Sequence, residues 1–146
     1  MIPKFRIFDK DTKEWQSIRS IGLEEDGSIL YIQCWDKYEV DIDPPYFMDN
    51  LGIDFELMQS TGLRDVNGKE IFEGDVVIAR WWNIHGDHER VTLVEWDENE
   101  LGWNLINKSS TNMNYEIIGN VHEHSHLLDN GGERDEQADE LINKQD

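Results

Sequence analysis

The chain has 146 residues, of which 38% are hydrophobic, so it can bury the core of one domain, or of one small domain with an appendage. Its 13 basic and 32 acidic residues give a formal net charge of −19, and such a surface repels nucleic-acid phosphates and anionic membranes. General nucleic-acid binding and membrane binding are therefore disfavoured, whereas basic protein partners are compatible with the charge.

Short strand patterns fill the N-terminal part of the chain. Asp26-Gly27 predicts a tight hairpin turn, because both residue types tolerate positive φ. Cys34 is the one cysteine and lies in an apolar run, so we interpret it as a buried, inert thiol. It has no partner for an intrachain disulfide, which fits a reducing compartment. The predicted strands span residues 4–8, 18–23, 28–35 and 38–42.

A break in the strand pattern separates two halves of the chain. Pro44-Pro45 does not suit a central strand, because proline lacks a backbone donor. We interpret residues 43–53 as a connection and residues 54–59 as a short helical segment with Asp54 as its N-cap. The second half then predicts further strands over residues 75–82, 90–96, 103–107 and 115–121.

The last residues have a different composition. The stretch 131–146 contains six acidic residues against two basic ones, and it has few apolar side chains. Such a segment buries too little surface to offset its ordering entropy, so we predict a flexible tail or a docked helix. The prediction is a mainly β protein with an N-terminal β region (1–54), a β-barrel or sandwich domain (55–128) and an acidic tail (129–146).

Four segments carry a recognisable pattern: FRIFD (5–9), LMQSTGLRD (57–65), NGKEIFEGDVV (67–77) and IIGNVHE (117–123). In this order they resemble the YopX family, and the resemblance covers residues 4–128. It implies a gene carried by a bacteriophage or prophage of low-GC Gram-positive bacteria. It also implies an N-terminal β region followed by a small SH3-like β-barrel. It implies no activity, and the acidic tail lies outside the family pattern.

Three histidines at alternate positions are the strongest candidate for chemistry. His122, His124 and His126 would project from one face if the segment were extended, and neutral imidazole is the commonest metal ligand. Three such ligands can hold zinc with an open position. A metal-binding protein or metal-dependent enzyme is therefore one alternative function, although the segment follows the last predicted strand.

Two adjacent tryptophans are the candidate binding residues. Trp81 and Trp82 must point to opposite faces of a strand, so one of them should lie outside the core. Exposed tryptophan often marks a protein interface. The N-terminal region, a second subunit, or a host or phage protein would cover it.

The sequence contains no P-loop, dinucleotide fingerprint, paired CxxC or catalytic triad motif, so we predict no cofactor. The N-terminus lacks the apolar core of a signal peptide, and no apolar run approaches the ~20 residues needed to cross a bilayer. These features predict a cytoplasmic, non-catalytic protein-interaction module of a bacterial host cell. Nucleic-acid binding through the SH3-like barrel is a further alternative, based on fold analogy alone.

Overall fold

The computed structural model of the chain describes residues 4–105 and 113–131, and its named strands all pair antiparallel. Contacts divide the chain into two compact units, Met1–Gln59 and Ser60–Asp146. The first unit thus ends after Gln59, whereas the sequence pattern ends the N-terminal β region at residue 54. The mainly β class predicted from the sequence is confirmed.

Unit 1 is an antiparallel sheet with one side packed into a core. Its strands lie in the order β4-β3-β2-β1-β5. Ile7, Ile32, Cys34 and Phe55 are completely buried and form the centre of this core. The strands are β1 (Phe5–Asp9), β2 (Glu14–Leu23), β3 (Ile29–Trp35), β4 (Tyr46–Phe47) and β5 (Phe55–Arg64), and a 3-10 helix (Met48–Asn50) follows β4.

The hairpin between β2 and β3 turns where the sequence predicts. Gly27 has φ 91°, in the left-handed region that favours glycine. Asp26 Oδ1 accepts hydrogen bonds from the backbone N–H and the hydroxyl of Ser28, at 2.9 and 2.6 Å. The turn is therefore fixed by residues within it, which is why a local pattern was sufficient to locate it.

The helical segment predicted for residues 54–59 is wrong, because this stretch is the start of β5. Residues Phe55 to Gln59 pair in register with β1, from Asp9 back to Phe5. An isolated helix of one or two turns is marginal in water. Pairing with β1 satisfies the hydrogen-bonding groups of the backbone instead. Phe55 and Met58 are also buried in this arrangement.

The extended piece predicted for residues 38–42 is also largely absent. A single backbone bridge, between Trp35 and Asp41, and a side-chain hydrogen bond from Gln33 to Ile42 O link this stretch to β3. The carboxylate of Asp36 accepts the N–H groups of Tyr38 and Val40, at 2.8 and 3.1 Å. This side chain therefore holds the backbone in a loop where the apolar residues alone suggest a strand.

Unit 2 contains a three-stranded sheet and two smaller pairings. The sheet has the order β11-β7-β8, and its central strand buries Val76 and Val77 completely. The described strands form no closed barrel, so the SH3-like barrel is not confirmed. The elements are β6 (Glu70–Phe72), which pairs with the end of β5, then β7 (Asp75–Asn83), β8 (Gly86–Leu93), β9 (Trp96–Asp97), β10 (Gly102–Trp103), β11 (Asn114–Asn120) and α1 (His126–Gly131).

The predicted acidic tail, residues 129–146, lies outside the described residues from residue 132 onward. Its first three residues end α1. Among the described residues, no helix has the length and apolar character needed to span a membrane.

Candidate protein-binding site

The hairpin of β7 and β8 carries the two candidate tryptophans. Its strands pair without interruption from Val76 opposite Leu93 to Asn83 opposite Gly86. Asn83 closes the turn, because its side-chain oxygen accepts the N–H of His85 at 2.7 Å. The hairpin is thus a regular ribbon whose tip is Ile84 and His85.

Trp81 and Trp82 lie on opposite faces of this ribbon, as adjacent strand residues must. Trp81 is half-buried and stacks on His88, with ring centroids 5.4 Å apart and planes 18° apart. Trp82 is 61% exposed, and Ile84 at the tip is 92% exposed. The sequence indicated one exposed tryptophan but gave no sign of Ile84, because only the two-residue turn places that side chain in solvent.

Arg80, in the middle of the hairpin, is paired, whereas the buried Nε of Arg90 on β8 has no hydrogen-bond partner among the described residues. Arg80 on β7 donates to Glu116 at 2.8 Å and contacts Glu89 at 3.4 Å. The hydrogen bond with Glu116 is the largest cause of a raised pKa of Arg80, with the charge of Glu89 adding to it. This arginine is therefore engaged by two carboxylates of its own sheet.

A second exposed tryptophan lies on the hairpin of β9 and β10. Trp96 is 48% exposed and packs edge-to-face on Trp103, with ring centroids 5.4 Å apart. The side chain of Asn104 fixes the hairpin base by donating to Leu93 O at 2.7 Å and accepting from Glu95 N at 3.0 Å. Asp97 at the end of β9 and the loop residues Glu98 and Glu100 are acidic, so any partner here also meets negative charge.

None of the three candidate metal ligands lies on a strand, because His122 and His124 follow β11 in the turn region and His126 begins α1. Asn120 closes β11, and its side-chain oxygen accepts the N–H groups of His122 and Glu123 at 3.0 and 2.9 Å. His124 Nδ1 accepts the N–H of Asn120 at 3.2 Å. The rings of His124 and His126 are 6.2 Å apart. Across residues 4–105 and 113–131, no three His, Cys, Asp or Glu side chains are arranged to hold a metal ion.

Cys34 has the environment of a structural thiol. It is completely buried, and desolvation raises its pKa to about 11. Since the thiolate is the nucleophile, this residue is inert near neutral pH.

Within residues 57–77, the central block of the family resemblance, the side chain of Asp65 has a structural role. Its two carboxylate oxygens accept backbone N–H groups of Asn67, Lys69 and Ile117, at 2.9, 2.9 and 3.0 Å. One side chain thereby joins the β5–β6 turn to β11. The block that carries the family resemblance is therefore built of turn and packing residues.

Taken together, these features define a mainly β protein of two units that exposes tryptophan on a hairpin. The family model described as YopX protein matches residues 4–129. The chain therefore belongs to the YopX family.

Solved structures that are similar to the chain include the following two. The crystal structure of protein EF1440 from Enterococcus faecalis is 25% identical, with a TM-score of 0.56, and the match covers 88% of this chain and 99% of that one. The crystal structure of protein yopX from Bacillus subtilis is 16% identical, with a TM-score of 0.52, over 85% of this chain and 96% of that one, and supports the fold alone. No curated protein matches the chain.

Proposed function

We propose that this protein is a non-catalytic protein-interaction module that binds a basic protein through the tip of the β7–β8 hairpin. The observation that carries the proposal is the exposure of Trp82 and Ile84, at 61% and 92%, on a regular ribbon. We further propose that it is phage- or prophage-encoded and acts in the bacterial cytoplasm. For unit 2 we also propose an SH3-like barrel.

The energetics of the tip support an interface. Each square ångström of apolar surface removed from water contributes roughly 25 cal/mol, so a tryptophan and an isoleucine offer several kcal/mol of gross stabilisation. Tryptophan is also enriched among residues that dominate binding energy. Because the strands pair up to Asn83 and Gly86, little flexibility is lost when the tip docks.

The charge of the molecule supports a basic partner. A net charge of −19 steers cationic surfaces toward the protein and disfavours acidic ones. The positive charge of Arg80 would repel a basic partner near the hairpin, but this side chain is paired with Glu89 and Glu116. Association should therefore weaken as salt increases.

A capture experiment with matched variants tests the proposal. Tagged wild-type protein and Trp82→Ser are used to capture proteins from a bacterial lysate, with Leu23→Ser as control. Leu23 and Trp82 have the same exposed fraction, 61%, but Leu23 lies in unit 1. We expect a basic protein to be enriched by wild type and Leu23→Ser, and to be lost with Trp82→Ser. Equal capture by all three proteins would show that the partner does not bind through the hairpin tip.

Self-association is the competing use of the same tip. If a second copy of the chain covers Trp82, wild-type protein will form oligomers by light scattering and Trp82→Ser will be monomeric. That result would mean that the hairpin tip binds a second copy of the chain and not a different protein.

A further inference from the structure

A cleft in unit 1 has no role in the site described above. Its volume is about 270 Å³, below the roughly 300–1,000 Å³ of sites for drug-sized ligands. Its apolar and partly aromatic lining residues, here called the wall, are Pro44, Pro45, Tyr46 and Phe55, together with Ile42 and Phe47. The size suits a single long side chain better than a cofactor.

The lining also carries four carboxylates, alongside Asn50. Asp9, Asp11, Asp43 and Asp54 border the cleft, and no lysine or arginine does. Within the described part of the chain, the side chains of Asp11, Asp43 and Asp54 have neither a hydrogen bond nor an ion pair. The neighbouring cation, Lys10, is engaged elsewhere, because its Nζ donates to Gly52 O and Glu56 Oε2 at 3.0 and 3.1 Å.

Asp9 is held in place as a carboxylate. The hydroxyl of Tyr46 donates to its Oδ2 at 2.7 Å, and the N–H groups of Asp11 and Thr12 donate to its Oδ1 at 2.9 Å. Burial alone would raise the pKa of Asp9, but these hydrogen bonds outweigh it and lower the pKa. The same contact orients the ring of Tyr46, which lies 5.2 Å from that of Phe55.

We infer that this cleft binds an arginine side chain of the basic partner protein. A guanidinium is planar, stacks on aromatic and proline surfaces, and bonds carboxylates through a fixed fork of donors. The lining of the cleft contains both kinds of surface: the apolar residues Pro44, Pro45 and Tyr46 and the carboxylates of Asp43 and Asp54. Lysine, a compact and strongly hydrated charge, would use the carboxylates but not the wall.

This inference rests on the proposed function only for the source of the arginine. The cleft lies within unit 1, whereas the tryptophan hairpin lies within unit 2. The two sites can therefore be changed separately.

The test titrates N-acetyl-arginine amide, the probe, into the full chain. Two-dimensional NMR monitors its binding. We expect saturable shifts of amides around Tyr46 and Phe55. The matched ligand is N-acetyl-citrulline amide, which has a similar shape without the charge, and it should bind roughly twofold to fivefold more weakly. The double variant Asp43→Asn/Asp54→Asn should lose a similar factor, whereas the exposed Glu25→Gln should bind as wild type does.

Melting temperatures establish that each variant is folded, so that lost binding is not lost structure. Equal affinity for the arginine and citrulline probes, or no saturable shift, overturns the inference. Capture of the basic partner provides the second arm. If the double variant captures the partner as strongly as wild type does, the cleft inference fails while the proposed function stands. If the arginine probe binds selectively and no partner is captured, the proposed function fails while arginine binding by the cleft stands.

Discussion

At the scale of single residues, the carboxylate of Asp65 contributes to stability through three backbone hydrogen bonds. Asp65→Asn keeps the shape but places an NH₂ group opposite one of the N–H donors of Asn67, Lys69 or Ile117. An unsatisfied buried donor costs about 1–3 kcal/mol. We expect the free energy of unfolding, measured in urea at about pH 7, to fall by that amount. Glu98→Gln, at an exposed acid, should leave it unchanged.

The same residue predicts a pH dependence. Burial by itself raises the pKa of Asp65, but the three backbone hydrogen bonds dominate and lower it below its ordinary value. A lowered folded-state pKa stabilises the protein above the unfolded value of about 3.9, and this contribution disappears as the pH falls through the folded-state pKa. The stability difference between wild type and Asp65→Asn should therefore shrink below about pH 4. A difference that is constant or growing on acidification would contradict this origin.

Cys34 gives a second residue-scale prediction. Its thiol is completely buried and its pKa is raised to about 11, so the thiolate is scarce at neutral pH. Iodoacetamide should leave the native protein unmodified and add one carbamidomethyl group after unfolding in urea, as read by mass spectrometry. Rapid modification of the native protein would show that the unit 1 core opens locally.

At the scale of elements, Gly86 sets the geometry of the candidate hairpin. It has φ 116°, which an L side chain rarely adopts, and no atom lies within 4 Å of the position of an added Cβ. Gly86→Ala should therefore act through backbone strain alone and destabilise the protein by about 1–3 kcal/mol. His85→Ala, one residue earlier at the exposed tip, is the control and should have little effect. Equal thermal stability of the two variants would mean that the tip relaxes without cost.

The elements also show which parts of the fold follow from local sequence. The Asp26-Gly27 hairpin was predictable because the turn residues bond to each other. The stretch 54–59 was not, because its partner is β1, about fifty residues away in the chain. The cleft in unit 1 was missed for the same reason. Asp9, Asp43 and Asp54 are distant in sequence, and each alone resembles a solvated acid.

At the scale of the whole molecule, net charge links the proposed function to stability. A charge of −19 destabilises the compact state through self-repulsion while favouring cationic partners. The described residues carry few compensating pairs on the hairpin beyond those of Arg80 with Glu89 and Glu116. The acidity therefore has a cost for the isolated protein that a basic partner would relieve.

This cost can be measured through salt. Raising ionic strength from about 0.01 M to about 0.15 M shortens the Debye length from ~30 Å to ~8 Å and screens the repulsion. We expect the melting temperature to rise by several degrees at neutral pH. Glu25→Lys/Glu98→Lys changes the net charge from −19 to −15, since each substitution adds two charges, and it should respond less to salt. Glu25→Asp/Glu98→Asp keeps the charge and should respond as wild type does. A melting temperature that falls with salt would show that attractive ion pairs outweigh the net charge.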